Sequence, residues 1–280
     1  MAANALPPSS DVTIVGAGPV GRCAALALAA RGHSVSLVER RMLPHSMPRA
    51  CYFDHEIRRI LLALGVGPKL DQLTCPTQRL TWFNQDWRVL LDTALPDESL
   101  SGGALGYTFF QPDLEALLDQ AVAHQPLIQR HLGWDAEQVA QDAEGCEVHL
   151  RSGELDATDR WHAGATEQRL RSRYLIGADG AHSMVRKSIG SSFVDLQFQA
   201  DWLVVDVEPN SNWTMEPSHP AQWCNPARPT TLVPTGPRTR RWEFMLLPGE
   251  TEAELLDPAM IARLLGRFVP DPAKISIVRK

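Results

Sequence analysis

The stretch from Asp11 to Glu39 leaves this chain few folds to choose from. Asp11-Val-Thr-Ile-Val15 reads as a buried strand, and it runs directly into Gly16-Ala17-Gly18-Pro19-Val20-Gly21. An Ala- and Leu-rich run to Ala30 follows and closes at Gly32, the pattern of a helix with a C-terminal glycine. In such a strand-turn-helix each glycine has a task. Gly16 permits the tight turn, Gly18 lets the backbone approach a pyrophosphate with no Cβ in the way, and Gly21 lets the helix pack close to the strand. The helix N-terminus presents unpaired N–H groups and a positive dipole end to phosphate. A second strand, Ser34 to Val38, ends at Glu39, where a carboxylate accepts from ribose hydroxyls and repels a 2′-phosphate. A glycine triplet alone could be a chance turn. Strand, turn, helix, second strand and terminal acid in register specify an ADP-containing dinucleotide, without choosing between NAD and FAD.

A chain of 280 residues suits one large or two moderate domains. The net charge of −6, with no basic run, argues against nucleic acid and anionic membrane as partners. Met1 to Ser10 lacks a cationic and apolar leader pattern, and no apolar run approaches a bilayer-spanning length, so a cytoplasmic location is expected. Five cysteines are widely spaced, with no CxxC pair, which suits reduced thiols. The histidines show no HExxH and no Cys/His cluster, so no metal is expected. There is no G-x-S-x-G elbow of a serine hydrolase.

Beyond Glu39, Arg40 opens a proline-punctuated loop that carries Arg49. Arg49 could be a solvated surface charge, or it could pair with the pyrophosphate of the adjacent turn. Asp54 can cap a helix whose stripe is Ile57, Ile60, Leu61 and Leu64 and whose end is Gly65. Thr81 to Asn84 and Trp87 to Leu91 read as a hairpin around Gln85-Asp86 that joins a neighbouring sheet. Tyr107 to Phe110 enters a helix with Pro112 in its first turn and Leu114, Leu117, Leu118 and Val122 on one face, which puts Gln111 at the helix start. Between Pro126 and Arg173 short strands at 137–140 and 145–150 and a polar hairpin at 156–166 suggest a β-meander crossover. A second buried strand, Arg173 to Ala178, delivers Asp179-Gly180 before a helix. Asp-Gly there could be a turn with an N-cap, but two strand ends of this kind favour a shared ligand.

From Trp202 the pattern becomes an antiparallel sheet, with strands near 203–207, 221–224, 230–233 and 241–247 and with Trp202, Trp213, Trp223 and Trp242 in or beside it. Aromatics in such strands are usually core. Trp223 and Phe244 are nevertheless candidates for the wall of an aromatic substrate pocket, because alternation does not say which face is which. Thr251 to Glu254 is a capping box, and Met260, Ile261, Leu264, Leu265 and Phe268 form the stripe of the next helix. Lys274 to Lys280 reads as an uncovered strand, from which the chain is expected to be incomplete.

Six pieces together resemble one family: Gly16 to Gly21, Val38-Glu39-Arg40, Pro48-Arg49-Ala50, Phe110-Gln111-Pro112-x-Leu114-Glu115, Gly177-Ala-Asp179-Gly180 through Arg186, and Trp242-Glu-Phe-Met-x-x-Pro248-Gly249-Glu250-Thr-Glu. They resemble the class A FAD-dependent aromatic monooxygenases of the p-hydroxybenzoate hydroxylase fold, and most the 3-(3-hydroxyphenyl)propionate hydroxylase type. The fold class implied is α/β: a Rossmann-like FAD-binding domain over 1–190 with a β-meander crossover, its hairpin 79–103 joining the sheet of an incomplete antiparallel-sheet substrate domain over 191–280. The resemblance implies FAD held by Gly16, Ala17, Gly18, Pro19, Val20, Gly21, Glu39 and Arg40, with Glu39 on the adenosine ribose. Arg49 would take the pyrophosphate, Gln111 the ribityl or flavin side, and Asp179 with Gly180 both FAD and a transient NADH or NADPH. It further implies O2 and a small phenolic acid as co-substrates, with oxygen entering ortho to a phenol hydroxyl, and leaves a homo-oligomer open. No acid or base is assigned.

One family signature, a Gly-Asp pair at the ribityl chain, occurs nowhere in the 280 residues and normally lies further along. This supports a fragment or truncated relative. Three alternatives stand beside the hydroxylase: an NAD-linked dehydrogenase, which leaves the Asp-Gly strand and second sheet unexplained; another flavin enzyme of the same fold; and a flavin-binding or inert fragment.

Overall fold

The structure, a computed structural model, describes residues 10–43, 49–210, 217–269 and 271–280. Pro48, Trp213 and the first nine residues lie outside these. The chain divides into two compact units, each discontinuous in sequence: Met1–His45 with Glu115–Asp195, and Ser46–Leu114 with Leu196–Lys280.

The first unit is built on a six-stranded sheet in the order Ile128–Leu132, Val35–Glu39, Ser10–Val15, Trp161–Gly177, Cys146–Leu155, Trp134–Gln141. The first four strands run parallel, and Cys146–Leu155 pairs antiparallel with both Trp161–Gly177 and Trp134–Gln141. Val12, Ile14, Val35 and Leu37 are buried, as a parallel sheet covered on its faces requires. Helix Pro19–Ala29 buries its small face, Gly21, Ala25 and Ala29, together with Leu26. Arg22 is also buried in its first turn, where the helix dipole disfavours a cation. Its guanidinium is balanced by Glu115 at 3.2 Å and Asp119 at 3.7 Å.

Two features of this unit differ from the sequence reading. The meander hairpin and the strand leading to Asp179 are one 17-residue strand, Trp161–Gly177. Its polar middle, Thr166 to Arg173, interrupts the apolar signal, yet ladder pairing with Cys146–Leu155 carries it through. Strand Ile128–Leu132 has no apolar run either; it forms because Val35–Glu39 offers it a parallel edge.

The second unit holds a seven-stranded sheet in the order Ile275–Arg279, Trp202–Pro209, Thr239–Met245, Thr230–Thr235, Ala221–Trp223, Arg79–Phe83, Val89–Ala94. All neighbours are antiparallel except Ala221–Trp223 with Arg79–Phe83. A small sheet of Tyr52–Asp54, Gly106–Phe109 and Thr74–Pro76 accompanies it. Residues 49–78 and 104–114, which the sequence assigns to the dinucleotide domain, fall within the second compact unit. Gly236 shows why: at φ +75°, a Cβ there would lie 2.7 Å from the Leu73 carbonyl oxygen. Helix His55–Ala63 is capped by Asp54, which accepts from the Ile57 N–H at 2.9 Å. Of its expected stripe Leu61 is buried, while Ile57 and Ile60 are exposed.

One face of the large sheet carries Leu203, Val205, Val207, Ala221, Trp223, Leu232, Trp242 and Phe244 into a core with Leu255, Ile261, Leu265 and Val269. The Phe268 ring lies 4.7 Å from Trp223 and 6.1 Å from Phe244. The alternate positions, Asp206, Gln222, Thr231, Arg241 and Glu243, share the opposite face by register. The Pro248 to Glu254 run is a closing turn. Glu250 pairs with Arg228 at 3.0 Å and accepts from the Leu247 N–H at 2.9 Å, and Thr251 with Glu254 completes the capping box. Among the described residues no helix is long and apolar enough to cross a membrane.

Candidate cofactor site

The two strand ends singled out by the sequence lie side by side. Val15 and Gly177 are register partners on parallel strands, the Gly16 N–H donates to Val38 O at 2.8 Å, and the Ala178 N–H donates to Val15 O at 2.7 Å. Gly16 has φ +100°, and a Cβ on it would sit 2.3 Å from the Ala178 carbonyl oxygen and 2.8 Å from the Asp179 nitrogen. A Cβ on Gly21 would sit 1.9 Å from the Gly16 oxygen. These two glycines are required by the protein's own packing.

Gly18 is different. Its φ of −66° and ψ of −179° suit any residue, and a Cβ there would meet nothing within 4 Å. Neither conformation nor neighbours demand glycine, so the bare backbone leaves room for something that is not protein. Gly18 is the N-cap of helix Pro19–Ala29 and makes no side-chain cap; the first turn holds no acid, and Val20 is 73% exposed at its tip. Pro19 has no N–H, so the Val20 and Gly21 N–H groups are the donors this turn offers an anion. A cradle that a Cβ would begin to fill, with a helix N-terminus behind it, fits a pyrophosphate.

Glu39 fastens this turn to the second strand. One carboxylate oxygen accepts from the Ala17 N–H at 2.9 Å and the other from the Arg41 N–H at 2.9 Å. Each oxygen retains a lone pair for a ribose hydroxyl. Arg40 is exposed, and Arg41 pairs with Asp159. Sequence reasoning missed Asp135 beside this acid. Burial pushes its carboxyl up, with Arg40 opposing and Glu137 and Glu39 adding to the rise. Nothing in the local sequence signals it, because it depends on a strand brought up from elsewhere in the sheet.

Asp179 is occupied by its own loop. One oxygen accepts from Ser183 Oγ at 2.6 Å, and the other from the Met184 and Val185 N–H groups at 2.7 and 3.2 Å. Ser183 in turn caps helix Met184–Ser188. Gly180, at φ +81°, faces open space. The carboxylate fixes the loop, and the open surface is the glycine backbone.

Arg49 and Gln111 belong to the second unit. The Arg49 side chain is exposed and its carbonyl accepts from Arg241 Nη1. Gln111 is buried as the first residue of helix Gln111–Ala123. The reading of Trp223 and Phe244 as pocket walls is corrected: both are 1% exposed in the aromatic core and present no surface to a ligand. Alternation alone could not choose the face, and the helices covering the core decide it.

A family model described as FAD binding domain matches residues 9–280. The chain is 32% identical over 281 residues to a "Probable NADH-specific resorcinol 4-hydroxylase" of Rhodococcus jostii (strain RHA1), covering 98% of this chain and 51% of that protein. It is 33% identical over 270 residues to a "3-(3-hydroxy-phenyl)propionate/3-hydroxycinnamic acid hydroxylase" of Mycobacterium sp. (strain JLS), covering 96% and 44%. The chain thus spans about half the length of the curated relatives it matches. Among solved structures, the p-nitrophenol 4-monooxygenase PnpA from Pseudomonas putida DLL-E4 superimposes with TM-score 0.79 at 17% identity, over 97% of this chain and 67% of that one. Aklavinone-11 hydroxylase in its ternary complex with FAD and aklavinone gives 0.75 at 24%, over 98% and 53%. These likenesses show a shared fold. With the glycine turn, the paired strand ends and a family match over nearly its whole length, the chain belongs to the FAD binding domain family.

Proposed function

We propose that this chain is the FAD-holding part of a flavin-dependent monooxygenase that hydroxylates a phenolic aromatic acid resembling hydroxyphenylpropionate, with NADH or NADPH as reductant and O2 as oxidant. The observation that carries the reading is Gly18, a glycine that neither conformation nor packing requires, in front of an uncapped helix N-terminus. The curated relatives named above supply the reaction class. NADH is the better expectation for the reductant, since one of those relatives is named as NADH-specific.

The backbone from Gly16 to Gly21 would receive the pyrophosphate of FAD, and Glu39, already anchored through Ala17 and Arg41, would accept from the adenosine ribose. Arg40, exposed beside it, adds positive charge at that end. Asp179 would act through the loop it holds, leaving Gly180 for close approach. Arg49 is proposed as a pyrophosphate contact and Gln111 as a contact of the ribityl or flavin side. Once bound, FAD would supply hydride acceptance from the nicotinamide and the activation of O2. The protein's share is to hold and orient the reactants and to keep water away. No described side chain is assigned as acid or base.

The purified chain is expected to be yellow and to release flavin on denaturation. If it also turns over, NADH oxidation should rise on adding 3-(3-hydroxyphenyl)propionate or resorcinol. A colourless protein that binds NAD stoichiometrically would contradict the reading in favour of a dehydrogenase.

A further inference from the structure

Three adjacent strands of the second unit meet at a buried charge node. Asp206, on the middle strand, is 0% exposed and Arg241 is 1% exposed. They form a fork, with Nε to Oδ1 at 2.8 Å and Nη2 to Oδ2 at 3.1 Å. From the other side Arg279 Nε donates to the same carboxylate at 2.9 Å. Two guanidinium groups therefore share one aspartate. Glu243 stands half-buried on the same face of the sheet; burial pushes its carboxyl up, Arg241 opposes this and Asp206 adds to it.

Such a node is an expensive way to fill a core. Desolvating two arginines and an aspartate is repaid incompletely by their mutual attraction, and well-packed apolar residues usually do as well or better. What apolar residues cannot do is reach out in fixed directions, and here both arginines do so. Arg241 Nη1 donates to the carbonyl of Arg49, and the Arg279 guanidinium lies over the Phe110 ring at 5.0 Å. Arg49 is one proposed FAD contact of this unit, and Phe110 directly precedes the other, Gln111.

We propose that Asp206, Arg241 and Arg279 are positioning residues for flavin binding: Arg241 sets the backbone at Arg49, and Arg279 sets Phe110 and with it the start of the helix that bears Gln111. None of the three needs to touch the cofactor. This inference rests on the reading of Arg49 and Gln111 as FAD contacts.

The test is a double-mutant cycle read as FAD affinity, by titrating flavin-stripped protein and following the quenching of flavin fluorescence. Arg241→Lys keeps the charge but cannot make the fork and the carbonyl contact together. It should weaken FAD about tenfold, as should Arg49→Ala. Because Arg241 acts through Arg49, the double variant should be no more than about tenfold weaker than wild type. Independent effects, about a hundredfold together, would overturn the proposal, as would an unchanged affinity in either single variant. Should Arg241→Lys fail to fold, Arg279→Lys takes its place: loss of the planar contact with Phe110 should weaken FAD about threefold, and no weakening would overturn the proposal. A wild-type chain that binds no FAD would instead defeat the functional reading itself.

Discussion

The turn at Gly16 to Gly21 and the node at Asp206 both hold backbone in place, and they do so by opposite means. In the turn, position comes from what is missing: Gly16 and Gly21 let the strand end and the helix approach to distances no Cβ would permit. In the node, position comes from long charged side chains buried among strands, with one carboxylate organising two guanidinium groups. The difference teaches where each device is vulnerable. A turn made of glycines fails when an atom is added, and a node made of charges fails when one is removed.

The largest effect should come from removing a charge. Asp206→Ala leaves Arg241 and Arg279 without their carboxylate, and urea unfolding should show a loss of about 3–5 kcal/mol. A loss below about 1 kcal/mol would place the node at the surface and break the comparison. Adding one carbon to the turn should come next. Gly16→Ala imposes a left-handed φ on alanine and a clash with the Ala178 oxygen, and should cost about 2–4 kcal/mol by the same measurement.

An exposed charge pair sharpens the contrast. Arg79 Nε donates to Asp92 Oδ1 at 2.6 Å on the hairpin of the second unit, and this pairing holds the Asp92 carboxyl at about 2. The pair's contribution is complete above the ordinary carboxylate value near 4 and is lost as pH falls toward about 2. Asp92→Asn should flatten the acid limb of the stability profile between those values, and an unchanged limb would contradict the pairing. The smallest effect is chemical. Burial pushes the Cys23 and Cys51 thiols up to about 11, while Cys224 is exposed. Iodoacetamide at pH 8 should label Cys224 and spare the other two in the folded protein. Equal labelling of all three would mean that neither region is as closed as described.

The same contrast explains what the sequence could disclose. The turn is local: its strand, glycines, helix and Glu39 are consecutive, and each spacing has one physical meaning, so turn and acid were both legible. Asp179 was legible for the same reason, although not that its carboxylate would be spent on Ser183, Met184 and Val185. The node is not local. Asp206, Arg241 and Arg279 are far apart in the chain and meet only through register, and each alone looks like an ordinary polar residue in a strand. Trp223 and Phe244 show the same limit, since a period of two gives two faces and only tertiary packing says which one is covered. The long strand Trp161–Gly177 carries no continuous apolar signal, because ladder pairing, rather than apolarity, holds its middle.

We propose that the space before Gly18 is kept for the pyrophosphate of FAD. It is tested most directly by titrating FAD into flavin-stripped wild-type protein and into Gly18→Ala, with unfolding followed in parallel. Because a Cβ at this position touches no protein atom, stability should change by no more than about 1 kcal/mol, the scale of an N-cap substitution, while FAD binding weakens about tenfold or more. Equal FAD affinity in the two proteins would contradict the claim.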